Sequence, residues 1–124
     1  MLNCLVMPQD VLQITEAQIP DAPSPTDGQR ILQLSGPIVL TNLFALQDTM
    51  RADTSRVLVL EMSGVPYVDS AGIGVLVGAY VSRQKNSRVL ALAGVTERVR
   101  TTLHITQVEQ LFQFYDSVSQ VPRA

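Results

Sequence analysis

A chain of 124 residues is long enough to bury one two-layer core and too short for two, so we expect a single domain over residues 1–124. Apolar residues make up 46% of the chain and charged residues 16%, a composition that excludes a disordered protein. The formal net charge is −2, and the nine Lys and Arg residues are scattered along the chain, which argues against nucleic acid as a partner.

Cysteine and histidine each occur once, as Cys4 and His104. A single cysteine excludes an internal disulfide, and one Cys with one His cannot build an ordinary structural zinc site, so a reducing cytoplasmic compartment fits best. The start of the chain has no basic region or cleavage pattern, and we expect no targeting signal. The longest apolar run, residues 71–81, is far shorter than the about 20 residues of a membrane-spanning helix, so we expect no membrane insertion.

The first part of the chain predicts two strands separated by a loop. Residues 11–19 mix β-branched and polar residues and predict an edge strand. Residues 20–28 contain three prolines, two aspartates and a terminal glycine, which suit a loop inside one domain. Residues 30–36 predict the next strand, which ends at a Gly-Pro pair.

A helix is predicted over residues 43–52, with Thr41 and Asn42 as candidate caps. Its apolar residues Leu43, Leu46 and Met50 fall on one face at spacings of three and four. This face should pack against the sheet.

The middle of the chain contains the most apolar segments. Residues 57–60 form a continuous β-prone run, as expected of a central strand covered on both faces. We predict a helix over residues 70–85, a turn at residues 86–87 and a further strand over residues 88–94.

The last part of the chain predicts a short helix capped by Thr96 and an amphipathic helix over residues 108–115, with a tail that frays from residue 117. The domain core therefore spans about residues 11–115. Strands that alternate with helices predict an α/β fold with one mixed sheet and its helices gathered on one side.

The pair Asp69-Ser70 directly precedes the glycine-broken apolar run and is the candidate functional site. If Ser70 is the N-cap of the helix, its hydroxyl lies beside the unpaired amides of the first turn, and Gly72 and Gly74 leave that end open. A phosphate on Ser70 would add roughly −1.5 to −2 charges where the helix dipole favours negative charge. The carboxylate of Asp69 would repel that phosphate, and a partner docked on the neutral surface would be expelled.

A purely structural interpretation remains open for the same residues. Ser70 can be an ordinary capping serine and Asp69 an ordinary first-turn acid. Gly72, Gly74 and Gly78 can serve tight packing of the helix on the sheet, although each glycine costs about 1 kcal/mol of helix propensity relative to alanine.

The run R-V-L-V-L-E-M-S-G-V-P-Y-V-D-S-A-G-I-G-V-L, residues 56–76, resembles the signature of the STAS domain family of bacterial anti-sigma factor antagonists. The upstream L-S-G at residues 34–36 and the order of elements over residues 11–115 match as well. The resemblance implies a STAS-like fold, with a mixed, mainly parallel β-sheet and helices packed chiefly on one side.

The resemblance also implies a function as a phosphorylation-switched binding module. Ser70 would be the phosphoacceptor, with Asp69 and Gly72 as its motif neighbours. The unphosphorylated form would sequester an anti-sigma factor that is also a serine kinase and so release a sigma factor, and a Ser/Thr phosphatase would reset it. The chain would be cytoplasmic, hold no cofactor or metal and have no catalytic residue of its own.

Two departures from the family pattern concern the expected partner surface. Glu61 stands where an Asp is frequent, and no acidic residue follows Gly36 closely, since the sequence continues P-I-V-L. We therefore predict an atypical partner surface. The oligomeric state is left open between monomer and dimer. The predicted partner-binding residues are Gly36, Pro37, Ile38, Val65, Tyr67 and Gly74.

Two other classes of function compete with the switch. An enzyme would need a base, but His104 lies near the end of a predicted helix, and neither a G-x-S-x-G elbow nor a phosphate-binding loop occurs. A scaffold subunit of a stressosome-like or lipid-transport assembly would use residues 37–40 and 65–67 as a permanent apolar interface, if they are exposed. Core packing is the simpler explanation for both segments.

Overall fold

The computed structural model describes residues 11–17 and 28–122, within which five strands form one sheet and three helices accompany it. The strands are β1 (Gln13–Ala17), β2 (Gln29–Ser35), β3 (Val57–Gly64), β4 (Val89–Ala93) and β5 (Gln113–Tyr115). The helices are α1 (Phe44–Ala52), α2 (Ser70–Lys85) and α3 (Glu97–Ile105). Two 3-10 helices, Glu109–Leu111 and Val118–Gln120, flank β5.

The strands lie across the sheet in chain order, from β1 at one edge to β5 at the other. β1 pairs with β2 antiparallel, and the remaining neighbours pair parallel. Each parallel connection contains one helix, and because the strand order never reverses, crossovers of the usual hand bring all three helices to one face. The predicted mixed sheet with helices on one side is confirmed.

The central strand β3 is buried on both faces, as its apolar sequence predicts. Leu58 and Leu60 point into the core under the helices, whereas Val57 and Val59 belong to a smaller cluster on the opposite face. Successive side chains of a strand alternate between faces, so a strand covered on both sides needs an unbroken apolar run. The helical layer contributes Leu46, Met50, Ile73, Leu76, Val99 and Leu103 to the larger core.

The predicted helix over residues 108–115 is wrong. The chain makes a single 3-10 turn at Glu109–Leu111 and then forms β5, in which Phe114 pairs with Leu92 of β4. Phe112 enters the core and makes an edge-to-face contact with Tyr80 of α2, with ring centroids 5.9 Å apart. Pairing with the free edge of β4 outweighs a short segment's helical spacing, since propensity is a weak preference.

Two smaller predictions also need correction. The tail does not fray from residue 117, because it forms the turn Val118–Gln120 and buries Val121 against the second face of the sheet. Asn42 does not cap α1. Its side-chain amide instead accepts a hydrogen bond from the Val39 amide (3.1 Å) and donates one to the Pro37 carbonyl (3.0 Å), which stabilises the loop before the helix.

The remaining boundaries agree with the sequence analysis. The predicted edge strand becomes β1, and Thr96 caps α3 by accepting a hydrogen bond from the Val99 amide. The face of α1 that contains Leu46 and Met50 is buried as expected. Residues 20–27 of the predicted loop lie outside the described residues.

Candidate functional site

Ser70 is the first residue of α2, at the edge of the sheet where the parallel strands end. β3 ends at Gly64, and residues 65–69 lead the chain from this edge into the helix. The Ser70 side chain is exposed. The sequence prediction that the helix runs from Ser70 to Lys85 is confirmed, but the capping residue is different.

The N-cap of α2 is Asp69 rather than Ser70. Asp69 has extended backbone angles, φ −89° and ψ −178°, and its Oδ1 accepts a hydrogen bond from the Gly72 amide at 2.8 Å. A carboxylate here accepts a hydrogen bond from one of the unpaired amides of the first turn. Its negative charge is also stabilised by the positive end of the helix dipole. Ser70 therefore does not cap the helix, and its hydroxyl lies on the first turn of a helix that Asp69 caps.

Asp69 also joins this helix end to the loop between β2 and α1. Its second oxygen, Oδ2, accepts a hydrogen bond from the Leu40 amide at 3.0 Å. The two segments are bridged by backbone bonds as well, from the Ile38 amide to the Tyr67 carbonyl and from the Asp69 amide to the Ile38 carbonyl, both 3.2 Å. The site is thus made of two chain segments that meet beside Ser70.

Close packing at this junction requires glycine at position 72. A Cβ atom on Gly72 would overlap the carbonyl oxygen of Ile38 and would lie 2.7 Å from Cγ1 of Val68. Gly74 and Gly78 are different, because a Cβ on either would meet nothing within 4 Å. Tight packing explains Gly72, although against the segments of Ile38 and Val68 rather than against the strands, and it is wrong as an explanation of the other two glycines.

The predicted partner-binding residues do not form one exposed surface. Pro37, Ile38 and Val65 are buried, so the condition for the apolar scaffold interface fails at these residues. Gly36 is partly buried, and its φ of +108° and its close approach to the Val11 carbonyl both require glycine. Tyr67 is partly buried with the Arg98 guanidinium 5.0 Å from its ring centre, and Gly74 is exposed on α2.

Two exposed apolar side chains lie on the chain segment that leads from this junction into α1: Leu40, which belongs to the predicted segment 37–40, and Phe44, which the sequence analysis did not single out. Leu40 and Phe44 are each 59% exposed, and the Leu40 amide is the one bonded to Asp69. The signal available in the sequence was the position of Phe44, which lies outside the stripe of Leu43, Leu46 and Met50. A large apolar residue away from the buried face of a helix is a candidate contact for a partner.

The far end of α2 is fixed by a buried ion pair. The Arg83 guanidinium lies 2.8 Å from Oδ2 of Asp53 and also donates to the backbone carbonyls of Ser55, two residues before β3, and of Val89, the first residue of β4. Burial favours a higher pKa for Asp53, but hydrogen bonds from Ser55, Arg30 and Arg83 outweigh it and lower the pKa. Hydrogen bonds therefore fix both ends of α2, the start to the loop between β2 and α1 and the end to the segments that begin β3 and β4, so Ser70 lies on a supported helix.

The candidate base of an enzyme, His104, pairs with Glu109 rather than with Ser70. His104 is exposed on α3, and its Nδ1 lies 3.0 Å from Oε1 of Glu109. Hydrogen bonds from Arg100 and His104 lower the pKa of Glu109. Within residues 11–17 and 28–122, no three His, Cys, Asp or Glu side chains come together as metal ligands would. Cys4 lies outside the described residues.

None of the helices in the described part of the chain combines the length and hydropathy needed to cross a bilayer.

Comparisons with known proteins agree with this architecture. The chain is 32% identical over 62 residues to an anti-sigma-B factor antagonist of Staphylococcus aureus, and the match covers 50% of this chain and 57% of that relative. A solved anti-sigma factor antagonist from Mycobacterium paratuberculosis superposes with a TM-score of 0.72 at 21% identity, over 91% of this chain and 92% of the other. The murine Solute Carrier 26 family member A9 anion transporter reaches the same TM-score at 20% identity, covering 89% of this chain and 21% of the transporter. These two structural likenesses establish a shared fold.

The family model of the STAS domain matches residues 20–121, which include all three helices, the parallel strands and the Asp69-Ser70 pair. The chain belongs to the STAS domain family.

Proposed function

We propose that this protein is an anti-sigma factor antagonist whose partner binding is switched by phosphorylation of Ser70. In the unphosphorylated form it binds an anti-sigma factor that is also a serine kinase, and the sigma factor is released. The observation that carries the proposal is the position of Ser70, exposed on the first turn of a helix that Asp69 caps and that neighbouring segments hold at both ends. The name of the Staphylococcus aureus relative supports the same role.

The phosphorylation step needs little from this protein beyond an accessible hydroxyl. Oγ of Ser70 attacks the γ-phosphorus of ATP, the new O–P bond forms as the bond to ADP breaks, and the hydroxyl proton passes to a base of the kinase. ATP and magnesium belong to the kinase. A Ser/Thr phosphatase returns Ser70 to the hydroxyl form.

Phosphate at this position should act on the partner rather than on the fold. It adds roughly −1.5 to −2 charges at a helix N-terminus, where negative charge is tolerated. It also stands next to the carboxylate of Asp69, so the surface becomes doubly acidic. A partner that must desolvate this charge, or that is itself acidic there, should bind more weakly.

The exposed side chains of Leu40 and Phe44 supply the apolar part of the proposed partner surface. They occupy the role that the sequence analysis assigned to the buried residues Ile38 and Val65. We expect the protein to act in the cytoplasm and to have no catalytic activity of its own.

A scaffold role without a working switch is the second candidate. It is favoured by the shared fold with a transporter and by the exposure of two large apolar side chains beside the site. In that case Asp69 and Ser70 serve only as a helix start. The free protein would then associate into assemblies, whereas a switch component should stay monomeric or dimeric.

Intact-mass analysis after incubation with ATP, magnesium and lysate of the source cells tests the proposal. We expect a single added phosphate that fragment mapping places on Ser70. The gain should vanish in Ser70→Ala and persist in Ser82→Ala, a matched change at an exposed serine of the same helix. A chain that stays unmodified while a control antagonist is phosphorylated would favour the scaffold role.

A further inference from the structure

Three consecutive amides in the loop before α1 bond to three different kinds of acceptor. The Ile38 amide donates to a backbone carbonyl, that of Tyr67, at 3.2 Å. The Val39 amide donates to the side chain of Asn42 within the same loop, at 3.1 Å. The Leu40 amide donates to Oδ2 of Asp69 across the site, at 3.0 Å.

The Leu40 bond is therefore the one that depends on a side chain directly next to Ser70. It is exposed, whereas the bond from Oδ1 of Asp69 to the Gly72 amide is partly buried inside the helix cap. The residue that Asp69 holds in this way, Leu40, has an exposed apolar side chain, and the loop leads on into α1, whose first residue Phe44 is equally exposed. A change at Ser70 can thus reach Leu40 through one hydrogen bond.

We propose that Asp69 is a positioning residue that holds Leu40 beside Ser70, and that phosphate on Ser70 breaks the hydrogen bond between Asp69 and the Leu40 amide. The inference rests on the proposed function only in taking Ser70 as the residue that carries phosphate. Phosphorylation then does more than add charge, because it also loosens the apolar part of the partner surface.

The physical reason is competition at one helix end. A phosphoserine brings three strong acceptor oxygens and roughly two negative charges next to a carboxylate that already uses both of its oxygens. The two anions repel each other, and the phosphate competes for the same amide donors. Of the two hydrogen bonds of Asp69, the one from the Gly72 amide is better protected from solvent. The carboxylate therefore keeps its bond to Gly72 and loses its bond to the Leu40 amide.

Amide hydrogen exchange, resolved residue by residue by NMR, tests this on the full chain without any kinase. Phosphoserine is incorporated genetically at position 70, and phosphoserine at position 82 is the matched control on the same helix, about 18 Å away at 1.5 Å per residue. Asp69→Asn is the second test. Its side-chain carbonyl can still cap the helix, but its NH₂ group faces the Leu40 amide, donor against donor.

We expect exchange of the Leu40 amide to become about tenfold faster or more with phosphoserine at 70 and in Asp69→Asn, since hydrogen bonds to a charged acceptor are among the stronger ones. Exchange at Ile38 and Val39 should stay unchanged, and so should exchange across the sheet, which verifies the fold. Phosphoserine at 82 should leave Leu40 as it is.

Unchanged exchange of Leu40 in Asp69→Asn would show that Asp69 does not position the loop. Faster exchange in that variant but not with phosphoserine at 70 would show that the bond survives phosphorylation. Either result overturns the inference. Neither depends on whether a kinase modifies Ser70, so the proposed function stands or fails separately.

Discussion

Alanine substitutions at Gly72 and Gly74 should change stability in opposite directions, although both residues lie in the first half of α2. Gly72 is buried against the loop that contains Ile38, whereas Gly74 is exposed with open space where a Cβ would lie. Both variants replace glycine by alanine in the same helix, so both gain the same helix propensity. The difference between their stabilities therefore measures the cost of the steric overlap at position 72.

The expected sizes follow from these surroundings. Alanine gains up to about 1 kcal/mol over glycine in a helix. At position 72 the new methyl group overlaps a backbone carbonyl that cannot rotate away, and overpacking of this kind costs about 1–3 kcal/mol. Because the propensity gain offsets part of the overpacking cost, we expect Gly72→Ala to lose about 1–2 kcal/mol in the free energy of unfolding and Gly74→Ala to gain about 1 kcal/mol or slightly less.

Urea unfolding followed by far-UV circular dichroism measures both changes, and thermal unfolding should shift by about 4 °C for each kcal/mol. Gly72→Ala should also perturb the amide signals of residues 37–40, because the helix end must move away from the loop. A Gly72→Ala protein as stable as wild type, or a Gly74→Ala protein that is equally destabilised, would refute the packing described for this junction.

Three further outcomes are expected. Arg83→Met should lose about 3 kcal/mol or more in denaturant unfolding, because it leaves the buried carboxylate of Asp53 without its closest cation. The folded-state pKa of Asp53 is lowered, since its hydrogen bonds outweigh the effect of burial, so its contribution to stability is complete above the unfolded value near 4 and is lost as the pH falls below it. Acid titration of Asp53→Asn should show a flatter stability profile below about pH 4, and a profile as steep as wild type would contradict this. Phe44→Ser should change stability by less than about 0.5 kcal/mol yet slow phosphorylation of Ser70 by lysate, whereas Ile105→Ser, at another exposed apolar residue, should not.

The order of the strands and helices could be predicted because the strongest sequence patterns coincide with the structure. The unbroken apolar run at residues 57–60 has one stable position, the middle of a sheet covered on both faces. The helix from Ser70 to Lys85 is long enough to be identified despite three glycines.

Short segments were less predictable because distant neighbours decide their structure. The residues of β5 have helical spacing, yet the open edge of β4 makes them a strand. The apolar residues Ile38 and Val65 lie in loops, so the sequence left open an exposed interface or core packing, and both residues are fully buried. The sequence shows that such residues are apolar, but it does not show which other residues will pack against them.

The start of α2 shows the same limit at the scale of one residue. Asp69 and Ser70 are both good N-cap residues, and local sequence does not choose between them. The bridge between Ile38 and Val68 lies directly before Asp69, whose backbone is still extended, so Asp69 is the N-cap and the helix begins at Ser70. This choice leaves the hydroxyl of Ser70 exposed and gives Asp69 its bond to Leu40.

If Ser70 is the switch of this protein, one phosphate there must control partner binding. The decisive measurement is calorimetry of binding to the kinase that modifies the chain. The affinity of this kinase is compared for the unmodified protein, for the protein with phosphoserine at 70 and for Ser70→Ala. We predict that phosphoserine weakens binding about 10- to 100-fold, whereas Ser70→Ala binds like the unmodified protein. Equal affinity of the phosphorylated and unmodified proteins would contradict the switch and leave Ser70 as the first residue of a structural helix.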